Sequence, residues 1–136
     1  MPMPDTPRER YLFYISRSLA KPEDAERILE TSRHLNQQRG ITGALLFTGG
    51  HFAQLLEGPP PALAVTMHAI QADPRHETVT VLVEHELKQR RFDDWNMAFI
   101  EAPGVDDLIA QLLAAPDIPA ARADRLLKLM FDSPLR

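Results

Sequence analysis

The sequence predicts an α+β fold in which five strands form one mixed sheet and two helices cover one of its faces. Two kinds of pattern support this prediction. Short runs are rich in apolar and β-branched residues, as in strands, and longer runs place apolar residues at helical spacing. The predicted strands lie at 11–16, 42–48, 52–56, 78–87 and 95–101, and the predicted helices lie at 22–38, 61–72, 105–115 and 120–131.

The first strand is predicted by the aromatic and β-branched run YLFYIS. Because side chains alternate between the two faces of a strand, Leu12, Tyr14 and Ser16 share one face. The helix that follows begins near Pro22, which suits a first turn, and it ends before Gly40, a residue type common just beyond helices. Its inward-facing stripe comprises Ala25, Ile28, Leu29, Ser32, Leu35 and Asn36.

A hairpin is predicted next, because the dipeptide Gly49-Gly50 can supply positive φ between two apolar runs. Alternation places Gln54 on the same face as two large apolar residues, Phe52 and Leu56. A buried amide needs partners for its donors and acceptors. From the residues alone, nearby backbone or a partly buried face explains Gln54 well, and a helix-end asparagine such as Asn36 can bond local carbonyls.

The second half of the chain completes the sheet. The second helix ends at Asp73-Pro74, and the strand at 78–87 places three valines on one face. The last strand places Trp95, Met97 and Phe99 together. The first six elements give the ferredoxin-like split βαβ pattern, and the seventh element adds a fifth strand.

The tail is predicted to form two amphipathic helices separated by Pro116 and Pro119. These helices are expected to cover the free face of the sheet. A subunit contact through the same helices is a further alternative, and a homo-oligomer is expected. Their apolar stripes comprise Leu108, Ile109, Leu112, Leu113, Leu126, Leu127, Met130 and Phe131. The expected organisation is a loose leader at 1–9, a domain at 10–101 and a helical extension at 102–136.

Composition excludes several function classes. The net charge is −4 and no basic stripe stands out, so nucleic acid is not an expected partner. The chain has no cysteine, which excludes disulfides, thiolate metal sites and cysteine nucleophiles, and no metal site is predicted. No stretch has the length and apolar character of a signal peptide or a membrane span. The expected location is cytoplasmic.

Several dispersed motifs together resemble the BLUF domain, a flavin module that senses blue light. The similarity covers about residues 10–101, and the tail is similar to that of short, stand-alone members with two helices and no output enzyme. The residues that carry the resemblance are Tyr14 and the runs LETSRHLNQQRGITGALLF, HFAQLLEG, ADPRH and RRFDDWNMAF.

The resemblance implies that FAD binds with its ring between the first two helices, and that the domain has no enzymatic turnover. It implies that Tyr14 donates an electron and a proton to the excited flavin, and that Gln54 switches its hydrogen bonds. Asn36 would hold the polar edge of the ring. Trp95 and Met97 would pass the signal through the last strand and the C-terminal helices to an unidentified partner protein. The other implied flavin contacts are Ile28, Ser32, Arg75 and His76.

Flavin binding also explains polar residues that would be awkward in a dry core. The carbonyls and ring nitrogens of a flavin give inward-facing tyrosine, glutamine and asparagine side chains the partners they need. A primary amide has donor and acceptor ends, so its rotation or tautomerisation reverses the pattern without moving charge. The expected apolar walls are Ile28, Leu29 and either Leu63 or Met67. Leu35 departs from the polar or basic residue frequent in relatives, so no extra polar contact is expected there.

Two other functions are compatible with the same fold. One is an acylphosphatase-like hydrolase that uses Arg17 and Asn36, although no glycine-rich phosphate cradle surrounds Arg17. The other is an interaction module that binds no flavin, which the presence of Tyr14 and Gln54 disfavours. The sequence does not distinguish FAD from FMN or riboflavin, and it leaves open whether Trp95 or Met97 lies beside Gln54.

Overall fold

The computed structural model describes residues 8–115 and 120–135 and confirms the predicted α+β fold. Within these residues one mixed sheet has the strand order β4-β1-β3-β2-β5, in which β2 and β5 are parallel and the other pairs are antiparallel. The elements are β1 (Arg10–Ser18), α1 (Ala25–Arg39), β2 (Thr42–Phe47), β3 (His51–Gly58), α2 (Pro60–Ala72), β4 (His76–Glu86), β5 (Ala98–Glu101), α3 (Asp106–Ala114) and α4 (Ala120–Asp132).

The sheet separates two apolar cores, as the alternation of side chains predicts. Tyr14 and Phe52 face the core beneath α1 and α2, whereas Phe13 and Leu55 face the core beneath α3 and α4. The C-terminal helices therefore cover the free face of the sheet, as their apolar stripes predict. The fully or nearly fully buried residues of α3 and α4 are Ile109, Leu112, Ala123, Leu126, Leu127 and Met130.

Two glycines allow the turns that connect the first half of the sheet. Gly40 ends α1 with φ 69°, and its N–H bonds the last carbonyls of the helix. In the hairpin Gly49 has φ 100° and so supplies the positive φ expected of the glycine pair, whereas Gly50 has no positive φ. The N–H of His51 donates instead to the hydroxyl of Thr48, 3.0 Å away.

The start of the last strand differs from the prediction. β5 begins at Ala98, and Trp95 lies in the preceding turn, where its N–H donates to the carbonyl of Phe92 at 2.8 Å. Trp95 packs against the core beneath α3 and α4, whereas Met97 lies in the opposite core. The prediction that Trp95 shares a face with Met97 and Phe99 is therefore wrong, because alternation applies only where the backbone is extended.

The N-terminal leader is only partly described, since residues 1–7 lie outside the described part of the chain. Glu9, the last residue of the predicted loose leader, is fixed by the guanidinium of Arg90, whose Nε donates to Glu9 Oε1 at 2.8 Å. The carbonyl of Glu9 also accepts from the N–H of Leu87 at 2.8 Å. The ordered contacts of the domain thus begin before β1.

Candidate functional site

A cleft lies between α1 and α2 above the sheet. It brings together residues that are far apart in the chain, since α1, α2, β2, β3 and the start of β4 all contribute. Six of the predicted flavin contacts line it, namely Ile28, Ser32, Asn36, Gln54, Arg75 and His76. The seventh, Tyr14, lies directly behind Gln54.

Tyr14 and Gln54 are direct cross-strand partners of β1 and β3, and both are buried. The Tyr14 hydroxyl donates to Gln54 Oε1, and Gln54 Nε2 donates to Met97 Sδ at 3.6 Å. Burial raises the pKa of Tyr14 above its usual range, and the negative charge of Asp73 raises it further. Tyr14 is therefore a protonated donor at the start of a chain of hydrogen bonds that ends at Met97.

Asn36 and Arg33 hold the segment that precedes β5. Asn36 Nδ2 donates to the carbonyl of Asn96 at 2.8 Å, and Arg33 Nε donates to the carbonyl of Met97 at 2.9 Å. The partner of Asn36 is 60 residues away, so the explanation by local carbonyls is wrong. Because this bond uses the amide nitrogen, the oxygen of Asn36 is available to a ligand in the cleft.

His76 closes the inner wall of the cleft beside Tyr14. Its Nδ1 lies 2.8 Å from the hydroxyl of Ser16, and its ring centroid lies 4.7 Å from that of Phe52. Burial lowers the pKa of His76 below its ordinary value of 6.5; the nearby Asp73 raises this pKa, and Arg75 lowers it. His76 is therefore a neutral ring at neutral pH, suited to an apolar wall.

A charged pair marks the mouth of the cleft. Arg75 Nη2 lies 2.7 Å from Asp73 Oδ2, and Arg75 Nε lies 3.0 Å from Oδ1. This bidentate hydrogen bond is the main reason that the pKa of Asp73 is lowered and that of Arg75 is raised. Deeper between the helices, Arg39 Nη1 donates to the hydroxyl of Thr66 at 3.1 Å and so links α1 to α2.

The wall that α2 contributes differs from the expected one. Leu63 and Met67 are buried in the core, but they line a different groove beside Leu12. Periodicity identified the apolar side of α2, but the rotation of the helix over the sheet depends on packing. The cleft residues that sequence reasoning missed are Thr31, Arg39, Leu45, Thr66, Ala69, Ile70 and Asp73.

The residues proposed for a hydrolase do not come together. Arg17 is largely exposed, and its Nη1 lies 3.9 Å from Glu77 Oε2 at the surface. Asn36, in contrast, is buried on α1 beside the cleft. Across the described ranges, histidine and acidic side chains form no group of three or more that could hold a metal ion, and no helix there is long and apolar enough to cross a membrane.

The residues that line the cleft fit a flavin in their chemistry. Apolar side chains of Ile28, Ala69 and Ile70 line it, as a planar aromatic ring requires, and the amides of Asn36 and Gln54 are also part of the lining. The family model named BLUF, described as sensors of blue light using FAD, matches residues 10–98. The chain belongs to the BLUF family. The cofactor of this family is FAD.

Solved structures of BLUF proteins have the same fold. The dark state of BlrB, a BLUF protein, is 34% identical with a TM-score of 0.74, over 92% of this chain and 98% of that chain. The photo-activated state of BlsA has a TM-score of 0.77 over 94% of this chain and 98% of that chain. Its identity of 21% supports similarity of fold alone.

Two curated relatives are much longer proteins. The blue light- and temperature-regulated antirepressor BluF of Escherichia coli is 37% identical over 76 residues, which is 56% of this chain and 19% of that protein. The photoactivated adenylate cyclase subunit beta-like protein FB of Euglena gracilis is 32% identical over 109 residues, which is 75% of this chain and 13% of that protein. This BLUF chain thus spans less than a fifth of either relative.

Proposed function

We propose that this BLUF chain senses blue light through FAD held in the cleft between α1 and α2, with no enzymatic turnover of its own. The observation that supports this most strongly is the continuous path of hydrogen bonds from Tyr14 through Gln54 to Met97. It connects the inner end of the cleft to the residue just before β5. A structural core has no need of such a path, because apolar residues of the same size would pack at lower cost.

Each residue of this path has a property that the function needs. Bound FAD would supply the absorption of blue light and an excited state that accepts an electron. Tyr14, as a buried protonated phenol, would give up an electron and its proton. Gln54 would then reverse its donor and acceptor ends by rotation or tautomerisation, and Asn36 would hold the polar edge of the ring through its oxygen.

The remaining cleft residues would bind the cofactor along its length. Ile28, Ala69 and Ile70 would exclude water from the two faces of the ring. Ser32, Arg75 and His76 are part of the lining. Ser32 would contact the flavin, and Arg75 and His76 would lie near the ribityl and phosphate groups. Arg75 already has a carboxylate partner in Asp73, which would hold its guanidinium in place as a phosphate approaches.

The proposed signal leaves through Met97 and the turn that carries Trp95. Met97 directly precedes β5, and β5 leads into α3 after a short turn. We propose a sensor domain at 10–101 and an output extension at 102–136, which acts on a partner protein in the cytosol. We also propose that the chain self-associates. Light scattering of the FAD-loaded protein in darkness and in light tests this.

Flavin binding is tested with the purified protein titrated with FAD, FMN and riboflavin. We expect saturable binding with preference for FAD and an oxidised-flavin absorption spectrum. Ala69→Phe should fill the cleft and lower the affinity at least tenfold, whereas Ala64→Phe on the same helix faces another groove and should leave it unchanged. If the protein binds none of the three flavins, the result would support the alternative function, an interaction module that binds no flavin.

A further inference from the structure

Glu57 is a carboxylate with 0% exposure, and the proposed light chemistry does not use it. It lies on β3, three residues beyond Gln54. Because alternate residues of a strand face opposite sides, Glu57 points toward the core beneath α3 and α4, while Gln54 points toward the cleft. A buried carboxylate is costly unless it is well hydrogen-bonded, so its partners indicate its role.

Three donors surround the carboxylate of Glu57. Its Oε1 accepts from the hydroxyl of Thr42 at 3.0 Å and from the N–H of Phe92 at 2.9 Å. Its Oε2 accepts from the N–H of Arg91 at 2.6 Å. Two consecutive N–H groups of the loop between β4 and β5 are therefore fixed to β3 by one charged group, and such charge-assisted bonds are stronger than neutral ones.

The same two loop residues contact α4. The ring centroid of Phe92 lies 5.9 Å from that of Phe131, and the guanidinium carbon of Arg91 lies 4.3 Å from the centroid of the Phe131 ring. Phe131 is near the end of α4. Glu57 therefore joins the strand that carries Gln54 to the last helix through a short, packed connection.

The far end of this loop reaches the cleft. Asn96 and Met97 are its last residues before β5, and they bond the amides of Asn36 and Gln54. A change in the hydrogen bonds of Gln54 therefore acts on β3 and on the end of the loop at once. The bonds from Arg91 and Phe92 to Glu57 fix the middle of the loop, and so they limit the loop motion that would otherwise absorb that change.

Given the proposed light-sensing function, we propose that Glu57 is the positioning residue that transmits the change at Gln54 to α4. Coupling of this kind requires that light alter the balance between two arrangements of the loop and helix. Glu57 fixes the loop to β3, so both move as one unit, and Arg91 and Phe92 carry the movement to Phe131.

The test compares Glu57→Gln with Glu86→Gln, which makes the same chemical change at an exposed residue of β4. In Glu57→Gln the new NH₂ group must replace an oxygen that accepts a backbone N–H, so Arg91 or Phe92 loses its acceptor. Two quantities are measured on FAD-loaded protein. They are the light-induced shift of the flavin band and the difference in hydrogen exchange of α4 between light and darkness.

We expect Glu57→Gln to keep the flavin shift and to reduce the light-dependent exchange difference in α4 at least fivefold, whereas Glu86→Gln keeps both. A parent-like exchange difference in Glu57→Gln, or a photocycling parent with no exchange difference in α4, would overturn the role of Glu57. A parent with no flavin shift would instead overturn the proposed function.

A second variant keeps the inference testable if Glu57→Gln does not fold. Phe131→Leu retains the carboxylate and its three donors but removes the ring that Arg91 and Phe92 contact. We expect it to keep the flavin shift and to lose most of the light-dependent exchange difference in α4. An unchanged difference in Phe131→Leu would show that the signal does not pass through this contact.

Discussion

The amide nitrogen of Gln54 donates to the thioether sulfur of Met97 at a distance of 3.6 Å. A thioether is a weak acceptor, whereas at the other end of the amide the Tyr14 hydroxyl donates to a carbonyl oxygen, which is a stronger acceptor. The orientation of Gln54 in this structure is therefore only weakly held on the Met97 side. A small difference in free energy between two amide orientations is what a reversible switch requires.

Met97→Leu should slow the return to the dark state. The substitution nearly conserves volume, so we expect a loss of at most about 1.5 kcal/mol in the free energy of unfolding. The Gln54 amide loses its acceptor, which costs about 0.5–1.5 kcal/mol and corresponds to about two- to tenfold slower recovery. The recovery of flavin absorbance after a light pulse measures this rate. An unchanged rate would mean that the sulfur does not hold the dark orientation.

Arg33→Gln should have a similar effect from a greater distance. Arg33 fixes the carbonyl of Met97, so its loss lets the Met97 side chain move away from Gln54. We expect recovery to slow by about two- to tenfold, because the variant loses one charge-assisted hydrogen bond between partly exposed groups. Arg27→Gln, at an exposed position of the same helix, is the matched control and should recover at the parent rate. Equal rates for both variants would contradict the role of Arg33.

The phenol of Tyr14 should stay protonated in alkaline solution. Burial raises its pKa above the ordinary 10.0, so the folded state keeps a proton that the unfolded state loses. This contribution to stability is complete below pH 10.0 and is lost as pH rises through the folded pKa. We expect an unchanged light-induced shift between about pH 7 and pH 10. The control is Tyr11→Phe, which removes the other tyrosine of the chain. If the light-induced shift of the flavin band is lost below pH 10 in both the parent and Tyr11→Phe, the prediction is wrong.

The start of α3 is fixed to the hairpin through Asp106. Its Oδ1 lies 2.7 Å from His51 Nδ1 and also accepts from the Thr48 hydroxyl, and these bonds, in that order, lower the pKa of Asp106 below 3.8. Because Asp106 is partly exposed, we expect Asp106→Asn to cost only about 1 kcal/mol at neutral pH. Asp107→Asn, one residue further along and exposed, should cost almost nothing.

The pH dependence of this difference has a definite sign. A carboxylate whose folded pKa is depressed stabilises the fold above its unfolded pKa, and this contribution is lost as pH falls through the folded pKa. The gap between the parent and Asp106→Asn in urea unfolding should therefore close below about pH 3.8. A gap of the same size at acid pH would show that the ionised carboxylate of Asp106 is not responsible.

The sequence was sufficient to identify the inward faces of Tyr14 and Gln54. Alternation along a strand has a period of two, and the glycine turn limits the register of the hairpin, so few alternatives remain. The sequence did not predict that Tyr14 pairs directly with Gln54, because the pairing of β1 with β3 depends on contacts between residues distant in the chain. The order of the elements along the chain indicated the ferredoxin-like pattern with an added fifth strand.

The wrong predictions share one cause. The local sequence pattern does not determine how an element packs, and packing decides where its side chains lie. Trp95 was assigned to a strand because it alternates with Met97 and Phe99, but the turn at Asp93 and Asp94 extends to it. The rotation of α2 put Ile70 rather than Leu63 in the cleft wall. Glu57 gave no signal in the sequence, since its three donors come from β2 and from a loop more than thirty residues away.

The absorption spectrum of the FAD-loaded protein before and after blue light tests the central claim most directly. The account predicts a small, reversible red shift of the flavin band in the parent and in Tyr11→Phe, which changes the other tyrosine on the opposite face of β1. Tyr14→Phe and Gln54→Leu should bind FAD but show no shift. A Tyr14→Phe protein that binds FAD and photocycles like the parent would contradict the account.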